Sequence, residues 1–404
     1  KKAIRLAVVG GRRGGSFTVA LDFLKSRLQL SAVCDLNQAV LADWKARHPD
    51  IATYTDYARM LRDDACDAVI IATPMQVHAK QAVAAMNAGK HVLSEVTACM
   101  SHKEAVQLCQ AVERTGTTYM MAENYTYMRP HMMVLNMVRK GVFGELTYAE
   151  GQYVHDCSAL MYNADHTMTW RGELRRDMPD CNRYPTHSFG PIAQWLDIGG
   201  ADAIDTVYSA TTRPHAAAAY ARKRFGAKHE AASVDYWGLG DSNTTIVRTK
   251  LGRVVTLRLD SISPRPHHMA FHELQGTDAC FRSQVDPHDE PLVWINGKSP
   301  HSGDNTKPRR GNNVGHPTQW EPFFKYADAF EHPRWKKHRK LAEKAGHGGG
   351  DFFELEDFVN AIEGKAPNPI DVYAAVTWSS IMWLTQKSER TGKAEKAIEY
   401  RKGM

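Results

Sequence analysis

No apolar run in this 404-residue chain comes near the roughly 20 residues that a membrane-spanning helix needs, so no membrane partner is expected. Cysteine is scarce and unpatterned. The seven cysteines, at 34, 66, 99, 109, 157, 181 and 280, are odd in number and include no Cys-x-x-Cys, which argues against a zinc site and a disulfide framework. They read as reduced core residues, and no metal is expected. Charge of one sign is also missing as a block: Lys and Arg total 51 against 45 acids, a net charge of +6. The cations are dispersed except at 171–176 and 334–340. The second cluster, RWKKHRK, reads as a solvated helix face, and because no aromatic-studded basic groove accompanies it, no nucleic-acid partner is expected. Internal repeats and low-complexity tracts are absent too. No signal peptide is recognisable, but the chain begins Lys1-Lys2 and not with Met. A removed N-terminal signal, and with it a cytoplasmic or a bacterial periplasmic location, therefore stays open.

What is present is ordinary globular composition, 43% hydrophobic and 24% charged, over a length that accommodates two domains and a large core. Residues 4–9 form a short apolar run suited to a buried strand, followed by GGRRGGSF and a helical pattern at Val19, Leu21, Phe23, Leu24 and Leu28. Gly10 and Gly15 fit the first and third glycines of a dinucleotide fingerprint, with Arg12 at the second, where backbone normally approaches a pyrophosphate. Many βα turns carry such glycines only to reverse the chain. The next strand, 30–34, ends in Asp35, where an acid can accept both ribose hydroxyls and repel a 2′-phosphate, favouring NAD over NADP. Residues 68–72, 77–88 and 91–93 then read as strand, helix and strand, interrupted at Thr73-Pro74 and Gly89. This alternation implies a parallel sheet with its ligand at the strand C-termini, where Thr73, Pro74, His78, Glu95 and Glu123 would gather.

The stretch CNRYPTHSFGPIAQW at 181–195 sets Tyr184 and His187 three apart, with Pro185 between them and an apolar, helix-like run after them. Proline suits a first helical turn, so both polar side chains are expected near a helix N-terminus, whose positive end favours a neutral, proton-accepting imidazole. That suits acid/base work. In a chain with 19 histidines, a hydrogen-bonded structural histidine is the competing reading. Beyond residue 123, 132–140 reads as a helix and 144–156 as a strand. Further strands are expected at 204–212, 244–249, 254–261 and 269–275, a long polar loop at 299–315, and helices at 352–362 and 372–384.

The segment DAVIIATPMQVHAKQAVAAMNAGKHVLSEV resembles the Gfo/Idh/MocA family of sugar oxidoreductases. The resemblance implies an α/β fold: an N-terminal Rossmann-like parallel sheet over residues 1–123, then a C-terminal α/β domain over 124–404 with an open, mostly antiparallel sheet and a helical tail. Val96 and Thr97 stand where those dehydrogenases carry Lys-Pro. Valine cannot carry a proton, so acid/base chemistry must come from elsewhere. MAENY at 121–125, GQYVHD at 151–156, RYPTHSFGP at 183–191, GHGGGDF around His347 and DVYAAVTWS at 371–379 are similar to glycoside hydrolase family 109, the NAD-dependent α-N-acetylgalactosaminidases and relatives.

This second resemblance implies NAD as cofactor, a small-molecule glycoside as substrate and a homo-oligomer. Its cofactor-binding residues are expected to be Gly10, Gly11, Arg12, Arg13, Gly15, Asp35, Thr73, Pro74, His78, Glu95, Val96, Asn124, His155, Trp170 and Arg171. It also implies a redox-neutral hydrolysis: oxidation at C3, loss of the C2 proton, departure of the aglycone, addition of water and return of hydride to C3. His187 and His267 are the candidate bases, Tyr184 and Tyr153 the enolate or hydroxyl partners, and Glu123 an orienting carboxylate. His267 follows Pro264-Arg265-Pro266 where the family usually has a tyrosine. A net sugar or polyol dehydrogenase is the alternative.

Overall fold

A strand buried on both faces has to be apolar throughout, and the first third of the chain is made of such strands. The computed structural model describes residues 2–266, 268–286, 288–300 and 319–403. Within it, β1 (Ile4–Val9), β2 (Leu28–Cys34), β3 (Ala52–Tyr54), β4 (Ala68–Ile71), β5 (His91–Glu95) and β6 (Tyr119–Ala122) form one parallel sheet, in the order β3-β2-β1-β4-β5-β6. Every residue of β4 and β6 is buried. The strand order reverses between β1 and β4, and in such sheets the crevice outside the strand ends at that reversal is where ligands bind.

The remaining strands, β7 (Leu146–Val154), β8 (Ile204–Thr211), β9 (Ser242–Thr249), β10 (Val254–Asp260), β11 (His268–Gly276), β12 (Ala279–Arg282), β13 (Leu292–Ile295), β14 (Glu321–Pro322) and β15 (Glu395–Lys396), make a nine-stranded sheet ordered β14-β13-β12-β11-β7-β10-β9-β8-β15. Only the β7–β10 pair is parallel. The expected α/β class, with an open and mostly antiparallel second sheet, is the fold observed. Along β9, buried and exposed residues alternate, the sign of one packed and one solvated face. The helices Thr186–Trp195 and Ile381–Thr391 lie on this sheet. Gly151 in β7 permits the first of these to come close, since a Cβ there would stand 2.0 Å from the Ser188 carbonyl oxygen.

Several expectations need correction. The helix expected at 372–384 is two helices, Val372–Ser379 and Ile381–Thr391. Ser380 returns its hydroxyl to the Thr377 carbonyl at 2.7 Å, a back-bond that bends helices. The RWKKHRK cluster is not a uniformly solvated face. It lies on the helix Pro333–Ala342, where Trp335 is buried and gives its indole N–H to the Tyr127 carbonyl at 3.0 Å. Arg334 pairs with Glu356 at 2.6 Å and Asp357 at 2.8 Å. Cys157 and Cys280 are only partly buried, unlike the other five cysteines. His267 and all but the first two residues of the 299–315 stretch lie outside the described residues.

Helices at Gln38–Arg47, His102–Thr115 and His215–Phe225 have no counterpart in the expected pattern. The second carried a local signal: Ser101 accepts from the Glu104 amide, and Glu104 accepts from the Met100 amide at 2.7 Å, close to a reciprocal capping box. The C-terminal region also returns to the first sheet. Phe352 on the helix Gly350–Ile362 meets Phe23 edge-on with ring centroids 6.3 Å apart, and Arg27 reaches Asn360 and Glu363.

Candidate active site

At the point of strand-order reversal, β1 ends in Gly10, whose φ of 91° is left-handed and whose hypothetical Cβ would stand 2.5 Å from the Ala72 carbonyl oxygen. Only glycine allows the two strand ends to approach this closely. The glycine that lets the next turn pack on β1 is Gly14, where a Cβ would meet Val8 at 2.2 Å. Gly15, expected in that role, faces nothing nearer than Trp44 at 3.8 Å. The fingerprint is thus shifted by one residue.

Asp35, just beyond β2, accepts the Gly11 amide at 2.7 Å and the Asn37 amide at 2.8 Å. These bonds hold its carboxylate at the mouth of a cavity of about 1010 Å³. Of the expected cofactor residues, Gly10, Arg12, Arg13, Asp35, Thr73, Pro74, His78, Glu95, Val96, Trp170 and Arg171 line this cavity. Gly11, Gly15, Asn124 and His155 do not.

His78 lines the wall without a nitrogen to spare. Its Nδ1 faces the Thr97 carbonyl at 2.9 Å and its Nε2 the Thr73 carbonyl at 2.7 Å, and burial holds its pKa below the usual imidazole range. It positions the Thr73 turn and has no ring nitrogen left to bind a ligand. Arg13 pairs with Glu95 at 2.6 Å, so the acid that precedes Val96 is committed to an ion pair.

The other wall comes from the second sheet. Parallel pairing of β7 with β10 sets Tyr153 opposite Leu259, and the chain continues beside β10, with the His155 amide on the Asp260 carbonyl and the Cys157 amide on the Ser261 carbonyl. The helix Thr186–Trp195 starts after Pro185, which puts His187 in its first turn and Tyr184 just ahead of it. His187 Nδ1 donates to Glu123 Oε1 at 2.7 Å. Glu123 is fully buried and also accepts the Tyr125 amide at 3.2 Å. In the neutral ring, an Nδ1–H donated to a carboxylate leaves Nε2 as the proton-accepting nitrogen.

Aromatic rings surround that imidazole. Tyr125 stacks on it at 4.1 Å and 13°, Tyr153 lies at 5.0 Å and Tyr184 at 5.1 Å. His155 Nε2 meets the Tyr153 hydroxyl at 2.8 Å. Burial, the larger cause, pushes the phenols of Tyr125, Tyr153 and Tyr184 upward; next in weight, Tyr153 raises Tyr125 and Tyr184, and Cys157 raises Tyr153. All three stay protonated and can donate. Tyr184 reaches the cavity wall and so connects this cluster to the cofactor edge.

Glu123, Tyr153, His155, Tyr184 and His187, widely spaced in the chain, are therefore brought together, while His267 cannot be placed. Two participants were missed. Tyr125 sits in the quoted MAENY motif, but nothing local shows that it stacks on a ring 62 residues later. His272, on β11, places Nε2 within 3.2 Å of the His187 carbonyl and 3.1 Å of the Ser188 carbonyl, bracing the helix start. Its place in an alternating strand hid that role.

A dinucleotide fits the first wall. Gly10, Arg12 and Arg13 of the glycine turn line the cavity, Asp35 adds a carboxylate to the same wall, and the cavity is large enough for an extended ligand. Comparison with known proteins agrees. Residues 4–123 match the family described as "Oxidoreductase family, NAD-binding Rossmann fold", and residues 127–403 match "Glycosyl hydrolase 109, C-terminal domain". A glycosyl hydrolase family 109 protein of Stenotrophomonas maltophilia is 33% identical over 96% of this chain and 86% of its own length. Among solved structures, an NAD-binding oxidoreductase from Klebsiella pneumoniae superposes with a TM-score of 0.75 at 16% identity, covering 99% of this chain and 100% of its own. Scyllo-inositol dehydrogenase from Lactobacillus casei, with bound NAD(H) and scyllo-inositol, gives 0.67 at 16% identity, covering 98% and 99%.

Proposed function

Because the chain belongs to glycosyl hydrolase family 109, on an NAD-binding Rossmann fold, we propose that it hydrolyses a hexoside, an N-acetylgalactosaminide or a relative, by transient oxidation at C3. The observation that carries this reading is the His187–Glu123 pair set among protonated tyrosines beside the cofactor cavity. NAD, when bound along Gly10, Arg12, Arg13, Asp35 and Thr73, supplies reversible hydride acceptance. Everything else is proton handling by the chain. His187, oriented by Glu123, takes a proton at Nε2, and Tyr184 and Tyr153 donate hydrogen bonds to the oxygen that gains negative charge when the C2 proton is lost. The aglycone then leaves C1, water adds there while a proton returns to C2, and C3 regains its hydride, so the sugar is released at its original oxidation level.

Two features support this chemistry over a carboxylate-pair glycosidase, which needs two carboxylates free to flank the bond. Glu123 is committed to His187 and Glu95 to Arg13. A dehydrogenase with a lysine shuttle is not favoured either, since Val96 occupies that position on the cavity wall.

The test is reaction in deuterium oxide with a nitrophenyl hexoside, read by NMR of the released sugar. Deuterium at C2 and none at C3 is expected. Hydrogen fully retained at C2, or a normal rate with a 3-deoxy substrate, would sink the mechanism. A pure sample that releases no NAD(H) on denaturation would also count against it.

A further inference from the structure

Half-buried guanidinium groups elsewhere in this protein sit against carboxylates: Arg13 on Glu95 at 2.6 Å, Arg253 on Asp202 at 3.2 Å and Arg334 on Glu356 at 2.6 Å. The arginines behind Tyr153 and Cys157 break that pattern. Arg183 lies deep in the protein yet keeps a partly open surface, and it donates to the Ser261 hydroxyl. Its Nε is buried without a partner, and no carboxylate pairs with it among the described residues. Arg175 spends its guanidinium on the Gly240 carbonyl at 2.9 Å and on Ser261. Its nearest carboxylate, Asp241, is 3.9 Å away and already accepts the Ala216 and Ala217 amides. Arg171 lines the cavity, stacks on Trp170 at 4.3 Å and has no ion pair among the described residues.

Arg175 thus has Asp241 and Asp260 in its surroundings, whereas Arg183 has no carboxylate paired with it among the described residues. Burial first, and then Arg183, bring Arg175 down to about 9 against the opposing pull of Asp241 and Asp260, while Arg183 is lowered by burial and, to a smaller extent, by Arg171. A guanidinium does not lose its proton in a protein, so Arg183 stays a cation, with its Nε unpartnered. The neutral groups beside Arg183, the thiols of Cys157 and Cys181 and the phenol of Tyr153, supply no negative charge: burial raises all three. Nor is this the place for the cofactor diphosphate, which belongs to the glycine turn. Arg183, Tyr153, Cys157 and Ser261 cluster at the ends of β7 and β10, next to Tyr184, whose ring lies 5.5 Å from that of Tyr153 and which lines the cavity with Arg171.

We propose that Arg183, with Arg171 at the cavity wall, forms an anion subsite, and that the sugar substrate carries an acidic substituent, a carboxylate or a sulfate ester. The proposal rests on the glycosidase reading above and narrows its substrate class. Arginine suits the task because its planar fork meets either group with two parallel N–H bonds.

The experiment is calorimetric titration of the NAD-saturated protein with two matched pairs: D-galacturonate against D-galactose, and N-acetylgalactosamine 6-sulfate against N-acetylgalactosamine. At least one acidic member should bind about tenfold tighter than its neutral partner, the worth of one charge-assisted hydrogen bond, and the advantage should shrink as salt is added. Which pair shows it tells carboxylate from sulfate. In Arg183→Gln the ratio should fall toward one, while Arg183→Lys should keep part of it. Equal affinities within both pairs, no binding by any of the four, or a preference that survives in folded Arg183→Gln would overturn the proposal. If Arg183→Gln does not fold, the wild-type ratio and its salt dependence still decide. Binding needs no turnover, so loss of the redox-neutral mechanism would leave this result standing, and equal affinities would leave the mechanism standing.

Discussion

At the ends of β1 and β4, a ligand would meet a wall shaped by tight backbone turns, Gly10 against Ala72 and the Thr73 turn beside His78, with Arg12, Arg13 and Asp35 around them. At the ends of β7 and β10 and the start of the helix Thr186–Trp195, it would meet side chains, above all His187, Tyr184 and Tyr153. The first wall is specified by where glycine is allowed. The second is specified by which side chains the fold converges. The two should fail differently, the first by losing cofactor and the second by losing turnover.

The largest expected effect tests that division directly. His187→Ala should lower turnover by roughly 10²- to 10⁴-fold, the worth of a positioned acid or base, with NAD content unchanged by fluorescence or release assay. Lost NAD in a folded variant would erase the distinction between the walls. Gly10→Ala probes the other side. Its Cβ would press on the Ala72 carbonyl at a backbone angle unfavourable to alanine, a cost of roughly 2–3 kcal/mol, so NAD affinity should fall about 10²-fold in a titration. Affinity within threefold of wild type would show that the turn yields more easily than its geometry implies.

Acid should strike both walls through buried neutral histidines. Burial lowers His131, behind Tyr125 and His272, from 6.5 to about 4, and it lowers His78 as well. Between pH 6.5 and 4 the unfolded chain binds more protons than the folded one, so stability rises with pH. The contribution of His131 is complete above 6.5 and lost as pH falls toward 4, about 3 kcal/mol in all. Urea unfolding at pH 7 and pH 4.5 should show this loss, and His131→Gln should flatten it. An unchanged pH slope in that variant would mean that His131 is not neutral in the fold. The smallest effect is expected from Asp35→Ala, about a tenfold weaker NAD complex with the sugar site intact. An unchanged dissociation constant would remove Asp35 from the ribose position.

How much of each wall was legible follows the same division. Periodicity and glycine marked β1, β4 and β5 and the cavity-lining Gly10, Asp35, Thr73 and Pro74, because strands buried on both faces and turns at their ends leave local signatures. The one-residue shift from Gly15 to Gly14 was not legible, since it depends on which glycine faces Val8. The helix start at Pro185 was visible in the sequence, and with it the location of Tyr184 and His187. That Glu123 orients the ring and Tyr125 stacks on it could not be read, because those contacts join positions more than 60 residues apart.

By itself, then, the sequence determined strands β1, β2, β4 and β5 of the first sheet with the helices that follow β1 and β4, the glycine turn, the absence of a lysine at Val96 and the family likeness of its motifs. Each of these is encoded within a dozen neighbouring residues, where backbone sterics and hydrophobic period act. Only the tertiary structure decided that both ring nitrogens of His78 face scaffold carbonyls, one of which a neutral ring can donate to, and that Glu95 belongs to Arg13. It also decided that Arg183 stands without a carboxylate, because hydrogen bonds and charge balance depend on what the fold brings within a few ångströms, and spacing along the chain does not report that distance.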